Sequence, residues 1–253
     1  MTLTEIDRWL GDFLALERFA GLDSSLNGLQ VAGPGGAVSR VAFAVDASME
    51  SFRRASEWGA QVLVVHHGIL WDRQCRITGS TWERVRYLVE KNLALFAAHL
   101  PLDAHPEVGN NAGIAQALGL VDIAPFGMHR GMALGCRGRL PEAISLEEVV
   151  ARLAARQGEP VRTLPFGPSA VRTVGIISGD APWGAAQASA EGLDLYITGE
   201  PAHEVYHHCL EQHIHAIFCG HYHSESYGVQ SLAKHCARET GLETSYLDVP
   251  TGL

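Results

Sequence analysis

The sequence is short of several things, and each shortage excludes a class of protein. Its five cysteines, at positions 75, 136, 209, 219 and 236, are odd in number and scattered, with no Cys-x-x-Cys pair. That argues against a disulfide framework or a zinc ribbon and fits reduced thiols in a cytoplasmic protein. Bases are fewer than acids, 19 against 28, for a formal charge of −9. A surface that tracks phosphates depends on Lys and Arg, so the balance speaks against nucleic acid as a general partner. No apolar stretch approaches the length of a membrane span. The opening Met1-Thr2-Leu3-Thr4-Glu5 has an early acid and no apolar h-region, so no signal peptide is expected. Charged residues make up 19% and apolar ones 47% of 253 residues, which suits a globular chain with a real core in one large or two small domains. The excess is in histidine. There are thirteen, several in tight groups.

Apolar periodicity places the elements. Ile6, Trp9, Leu10, Phe13 and Leu14 recur at helical spacing, and Thr2 with Glu5 forms a capping box. Ser24 to Val31 is followed by a Gly-Pro-Gly-Gly turn at 33–36. Val41–Val45, Val62–Val65 and Leu93–Ala98 are short continuous apolar runs, the mark of strands buried on both faces. A helix capped by Ser48 and ending near Gly59 separates the first two, and one over Trp82–Lys91 the next two. From about Arg130 the pattern restarts. Strands are predicted at Met132–Leu140, Val171–Ile177, Leu193–Thr198, Ala216–Cys219 and Thr244–Val249. Helices are predicted from Ser145 to about Gln157, after Asp180, around His203–Gln212 and after Ser224. Such alternation indicates an α/β fold.

The halves also match each other. Asp46-Ala47 and Asp180-Ala181 follow comparable strands; the next strand ends in His66-His67 in one half and in Gly199-Glu200 in the other. The strand after that leads to His99-x-x-x-Asp103 in the first half and to His221-x-x-x-Glu225 in the second. Two such matches in one order point to an ancient duplication of a βαβ unit.

Ligands of open α/β sheets gather beyond the carboxyl ends of strands, where all these groups fall. Neighbouring side chains at a strand end point apart, so His66 and His67 suit two adjacent ions rather than one. Imidazole with carboxylate favours Zn, Fe, Mn, Co or Ni over Ca or Mg, and a carboxylate can bridge two ions, which makes Asp103 and Glu225 the bridge candidates. His221 and Glu225, one helical turn apart, can share an ion. Taken singly each residue has a plainer reading: a hydrogen-bonded histidine, a turn acid at Asp103, a first-turn helix acid at Glu225. Five such donors at one sheet edge, in a duplicated pattern, favour metal. His99 is placed to orient a ligand or to act as general acid or base. Glu200 and His203 could line the same cleft. His207, His208, His213 and His215 read as surface or structural residues.

These segments resemble the dinuclear metal-centre hexameric protein family, whose members often bear the name GTP cyclohydrolase type 2 homologue. The likeness runs over nearly the whole chain. It is carried by Ser25-Leu26-Asn27-Gly28-Leu29-Gln30-Val31, Val64-Val65-His66-His67-Gly68, His99-Leu100-Pro101-Leu102-Asp103, Ile197-Thr198-Gly199-Glu200 and Gly220-His221-Tyr222-His223-Ser224-Glu225. It implies two α/β domains, a toroidal homohexamer built as a trimer of dimers, and two divalent ions facing the interior cavity on His66, His67, Asp103, His221 and Glu225. The chain is similar to the compact bacterial members, which lack a long insertion between the halves. Leu100 stands where the family commonly has Thr, which removes a hydroxyl near the metals.

The expected fold is therefore α/β, with two related domains, each a sheet covered by helices, and the metal site in the cleft between them. The first domain spans 1–125, joined by the C-terminal segment 226–253, and the second spans 126–225. The expected function is a dinuclear metal-binding protein acting as a metal-dependent hydrolase on a nucleotide or other small molecule through a metal-bridged hydroxide. The ions would be Zn, Fe or Mn, and His99 and Glu200 would carry protons. The alternative is a non-catalytic metal-binding scaffold or metal chaperone. A calcineurin-like phosphoesterase is excluded: Gly220-His221-Tyr222-His223 fits its Gly-His-x-His segment, but its Asp-x-His and Gly-Asn-His segments are absent.

Overall fold

The computed structural model describes residues 1–253 except 34, 74, 158 and 159, so the proline of the predicted Gly-Pro-Gly-Gly turn lies outside the described residues. The first half of the chain runs α1 (Leu3–Phe13), β1 (Gly28–Val31), β2 (Arg40–Asp46), α2 (Met49–Trp58), β3 (Val62–His67), α3 (Gly79–Glu90), β4 (Ala94–Ala97) and the single turn α4 (Leu100–Asp103). It continues through α5 (Asn110–Leu118), β5 (Val121–His129), β6 (Met132–Ile144), α6 (Leu146–Gln157), β7 (Arg162–Leu164) and β8 (Val171–Ile176). The last elements are α7 (Gly184–Ala190), β9 (Leu195–Thr198), α8 (His203–Gln212), β10 (His215–Phe218), α9 (His221–Thr240) and β11 (Glu243–Tyr246).

The chain forms two compact units, one of Met1–Leu102 with Val229–Val249, the other of Asp103–Gly228 with Pro250–Leu253. Among the described residues the first holds a five-stranded sheet in the order β1-β4-β3-β2-β11. β11, β2, β3 and β4 run parallel, and β1 closes one edge antiparallel to β4. Both faces are covered, so β2 and β3 are buried almost from end to end rather than alternately. Ala42, Ala44, Leu63, Val65 and Leu95 pack on one face with Phe52 and Ala55 of α2. Thr2 starts α1 through the expected capping box with Glu5, and Ser48 starts α2 through one with Ser51.

Among the described residues the second unit holds a six-stranded sheet in the order β5-β6-β8-β9-β10-β7. β8, β9 and β10 run parallel; β7 is antiparallel to β10, and β6 to β8. Alternation along β9 divides the core into two layers. Leu195 and Ile197 join Ile114, Val149 and Leu153 from α5 and α6, while Tyr196 joins Ala185, Val205 and Cys209 from α7 and α8.

The duplication read from the sequence is present in the topology. β2-α2-β3-α3-β4 and β8-α7-β9-α8-β10 are each a parallel triplet laid down in order, and each carries an antiparallel strand beyond its third member, β1 or β7. In both, the third strand leads into a helix that bears the His-x-x-x-acid pair or its second residue: α4 after His99, and α9 from His221.

Candidate metal centre

In the first unit the donors stand at the carboxyl ends of β3 and β4. His66 and His67 are the last two residues of β3, and the strand geometry sends them apart. His66 is fully buried and donates from Nδ1 to the carbonyl of Ala98, 2.9 Å away, just past β4. His67 faces the other neighbour, where its Nδ1 donates to Asp46 Oδ1 at 2.8 Å. Asp46 is there because the parallel register sets it beside His67. His99 donates from Nδ1 to Asp23 Oδ1, also at 2.8 Å. An acceptor behind each Nδ1 fixes the tautomer that leaves the lone pair on Nε2, the arrangement common behind metal-bound imidazoles. One ring nitrogen each of His66, His67 and His99 lies within 4.8 Å of the others.

The Ser25–Val31 segment explains itself here. Asp23 Oδ1 also accepts from Ser25 N at 2.9 Å, and Oδ2 accepts from Asn27 Nδ2 at 2.8 Å and Leu100 N at 2.9 Å. Asn27 Oδ1 accepts from His99 N at 2.8 Å. Gln30 Oε1 accepts from Ile69 N and Leu70 N at 2.7 and 3.0 Å, which pins the turn after His67. A Cβ at Gly68 would fall on the Gln30 amide, so this position needs glycine. Asn27 thus clamps the His99 loop and Gln30 the His67 loop. Burial alone would push the Asp23 carboxyl up, but the hydrogen bond and electrostatic attraction from the His99 ring, with the bonds from Asn27 and Ser25, together hold it below the ordinary value.

In the second unit Asp103, Glu225 and His221 form a mixed oxygen and nitrogen set. His221 Nε2 is 3.1 Å from Glu225 Oε2, one turn along α9. Two ligands at about 2.0–2.2 Å from one ion sit about that far apart. His221 Nδ1 donates to Glu200 Oε1 at 2.5 Å. A carboxylate oxygen of Asp103 lies within 4.8 Å of one from Glu225, although the two residues are only 7% and 3% exposed. Two buried carboxylates so close repel each other, and a cation between them removes the penalty. The donor set therefore fits divalent transition metals.

Asp103 is held by residues the sequence did not single out. Its Oδ1 accepts from Asn110 Nδ2 and Ser178 Oγ, each at 2.8 Å, and its carbonyl accepts from Asn111 Nδ2 at 3.0 Å. Asn110 Oδ1 in turn accepts from Gly228 N at 2.7 Å, and Asn111 Oδ1 from Ser178 N at 2.8 Å. Gly179 follows with φ +67°, and a Cβ there would fall on Glu225 Oε1. His203 lies at the start of α8, exposed, and His223 is half-buried in the first turn of α9. Among the described residues no helix is long and apolar enough to cross a membrane.

A GTP cyclohydrolase 1 type 2 homolog of Archaeoglobus fulgidus is 45% identical over 253 residues, with both chains covered in full. One of Deinococcus radiodurans is 43% identical over 98% of this chain and 94% of its own. Among solved structures, TTHA1606 from Thermus thermophilus is 39% identical with a TM-score of 0.91, and the protein ybgI is 30% identical with a TM-score of 0.92, each over all of both chains. The model of the Duf34/NIF3 (NGG1p interacting factor 3) family matches residues 1–251, and the chain belongs to that family, among the GTP cyclohydrolase type 2 homologues.

Proposed function

We propose that the protein is a hydrolase dependent on two divalent transition-metal ions, acting on a nucleotide or other small molecule. His66, His67, Asp103, His221 and Glu225 are the ligands in this reading. The observation that carries it is the set of acceptors behind the rings: Ala98 O, Asp46 and Glu200 each take an Nδ1 proton, which orients Nε2 of His66, His67 and His221 as a donor. Bound, two such ions supply an activated water and polarise the bond to be broken.

The chain's own residues do the rest. His99 is the proton carrier: Asp23 fixes its ring and leaves Nε2 to take a proton from the water or give one to the leaving group. Glu200 is the other candidate for that task, and its bond to His221 supports a ligand-orienting role instead. Trp71 packs edge-on to His99 at 5.2 Å between centroids and supplies an aromatic wall suited to a planar substrate. The names of the relatives support a nucleotide as the first substrate class to test. Family likeness supports a cytoplasmic homohexamer, a trimer of dimers.

The test is a hydrolysis screen over nucleotides and phosphoesters with protein loaded with Zn, Mn or Fe, beside His99→Ala. Turnover lost in His99→Ala with metal content unchanged supports the hydrolase. Metal-loaded protein without turnover, wild type and variant alike, would favour a scaffold or metal chaperone, which needs the same ligands and no proton carrier, and equal turnover in both would remove His99 from the role.

A further inference from the structure

The second unit carries a metal-donor pattern that the proposed centre does not use. His203-Glu204-Val205-Tyr206-His207 reads His-Glu-x-x-His and falls wholly within α8, a helix of ten residues. On a helix this spacing brings two imidazoles onto one face, with Cβ atoms about 5–6 Å apart, close enough to chelate one ion. The orientation of α8 is settled by its core side. Val205 and Cys209 are buried in the layer that includes Tyr196 and Ala185. At roughly 100° per residue the pair at 203 and 207 lies on the opposite side, and both histidines are exposed.

Their neighbours on the same helix are occupied differently. His208 Nε2 is held 2.9 Å from Ser189 Oγ. Neither His203 nor His207 makes a hydrogen bond or ion pair to another described residue; His207 only meets the ring of Tyr206 edge-on, 5.3 Å between centroids. Two imidazoles one turn apart and facing water are thus available together. Among the described residues no third His, Cys, Asp or Glu donor joins them. A hydrolytic zinc site of this motif has a third protein ligand, so water would complete the coordination here.

We propose that His203 and His207 form a second, exchangeable site for a borderline transition-metal ion such as Zn2+, Ni2+ or Cu2+. Imidazole donors select these over Mg2+ and Ca2+. The site is independent of the dinuclear reading: it needs no residue of that set, and an open two-ligand chelate exchanges its ion while a buried set retains it. It also bears on stoichiometry, because protein exposed to added metal would carry one ion more per chain than the buried ligands hold.

The experiment brings tag-free full-length protein to equilibrium by dialysis against a fixed concentration of free Ni2+ and counts nickel inside the bag in excess of the bath for the wild type, His203→Gln, His207→Gln and His213→Gln. His213 is an exposed histidine just past the end of α8 and serves as control. Circular dichroism confirms helix content in each. Loss of one nickel per chain in the first two variants, with none lost in the control, is the expected result. The same nickel content in all four proteins overturns the site, and so does an equal loss in all three variants. A variant-free check is diethylpyrocarbonate labelling of the wild type read by mass spectrometry. Nickel should slow labelling of His203 and His207 and leave His213 unchanged; no protection of the pair overturns the proposal. The buried donors are the same in all four proteins and drop out of the difference between them, so these results stand whether or not the chain is a hydrolase.

Discussion

His99 donates its Nδ1 proton to Asp23 across 76 residues of sequence, at 2.8 Å, and the side chain of Asp23 is 1% exposed. That carboxylate accepts four hydrogen bonds, from His99 Nδ1, Ser25 N, Asn27 Nδ2 and Leu100 N. It therefore acts as both a structural knot and the device that selects the His99 tautomer. Asp23→Ala leaves four donors without their acceptor and should destabilise the protein by roughly 2–4 kcal/mol. Asp23→Asn keeps the shape, yet its amide can present a donor to Nδ1 and reverse the tautomer. Nitrogen chemical shifts of His99 in labelled protein would report it: Nδ1–H in the wild type, Nε2–H in the variant. An unchanged tautomer would separate Asp23 from the role given to it.

The same carboxylate sets a pH dependence. Its folded pKa is lowered, so its contribution is complete above the ordinary carboxylate range and is lost as pH falls through the lowered value. Acid unfolding of chelated wild-type protein, followed by tryptophan fluorescence, should include this component. Asp23→Asn should be less stable at neutral pH and lose less on acidification. Parallel acid limbs in the two proteins would count against the assignment.

Asn110 holds Asp103 on one side and Gly228 N on the other, at 2.8 and 2.7 Å. Replacing it with Ala should weaken metal binding by about 10–100-fold, as loss of a partner behind a ligand does. Competition with a fluorescent chelator measures this directly. Affinity within twofold of the wild type would mean that Asp103 needs no such support.

Gly179 has φ +67° and no room for a Cβ beside Glu225. Gly179→Ala combines about 1–2 kcal/mol of left-handed strain with displacement of a proposed ligand. We expect metal to be lost while the far-UV circular dichroism is kept. Full metal content in this variant would show that Glu225 can move without consequence.

The thiols divide by burial. Removal from water pushes the half-buried Cys136 up to about 12 and the buried Cys209 up to about 11; Cys219 and Cys236 are buried too, whereas Cys75 is exposed. Iodoacetamide at pH 8 should modify one cysteine per native chain, at position 75, and five after unfolding. Rapid native labelling at Cys136 would contradict the burial.

Much of the fold could be read because the central strands are continuous apolar runs that need no knowledge of their partners: β2, β3 and β4 stand where Val41–Val45, Val62–Val65 and Leu93–Ala98 were expected, and α8 has the predicted bounds. α5 and β5 escaped for local reasons. Asn110 and Asn111 are polar yet buried, which hides the inward face of α5. β5 is an edge strand interrupted by Pro125 and Gly127, residues that normally mark a break. The proposed ligands were visible because they follow strand ends in a repeated pattern. Their supports were not. Asp23, Asp46, Asn110 and Ser178 reach them through register and turn geometry, and nothing in local spacing records a bond across 75 residues such as Ser178 to Asp103. Asn27 and Gln30 stood out as a motif, but their work as clamps is seen only in the hydrogen bonds.

The most direct measurement is metal per chain by elemental analysis, on tag-free protein purified without added metal, dialysed to clear exposed sites, and set beside a His67→Ala, Glu225→Ala double variant. About two divalent ions per chain, absent from the double variant, is the predicted result. Metal-free protein that takes up no Zn, Mn or Fe on addition would contradict the dinuclear centre and return these histidines to a structural role.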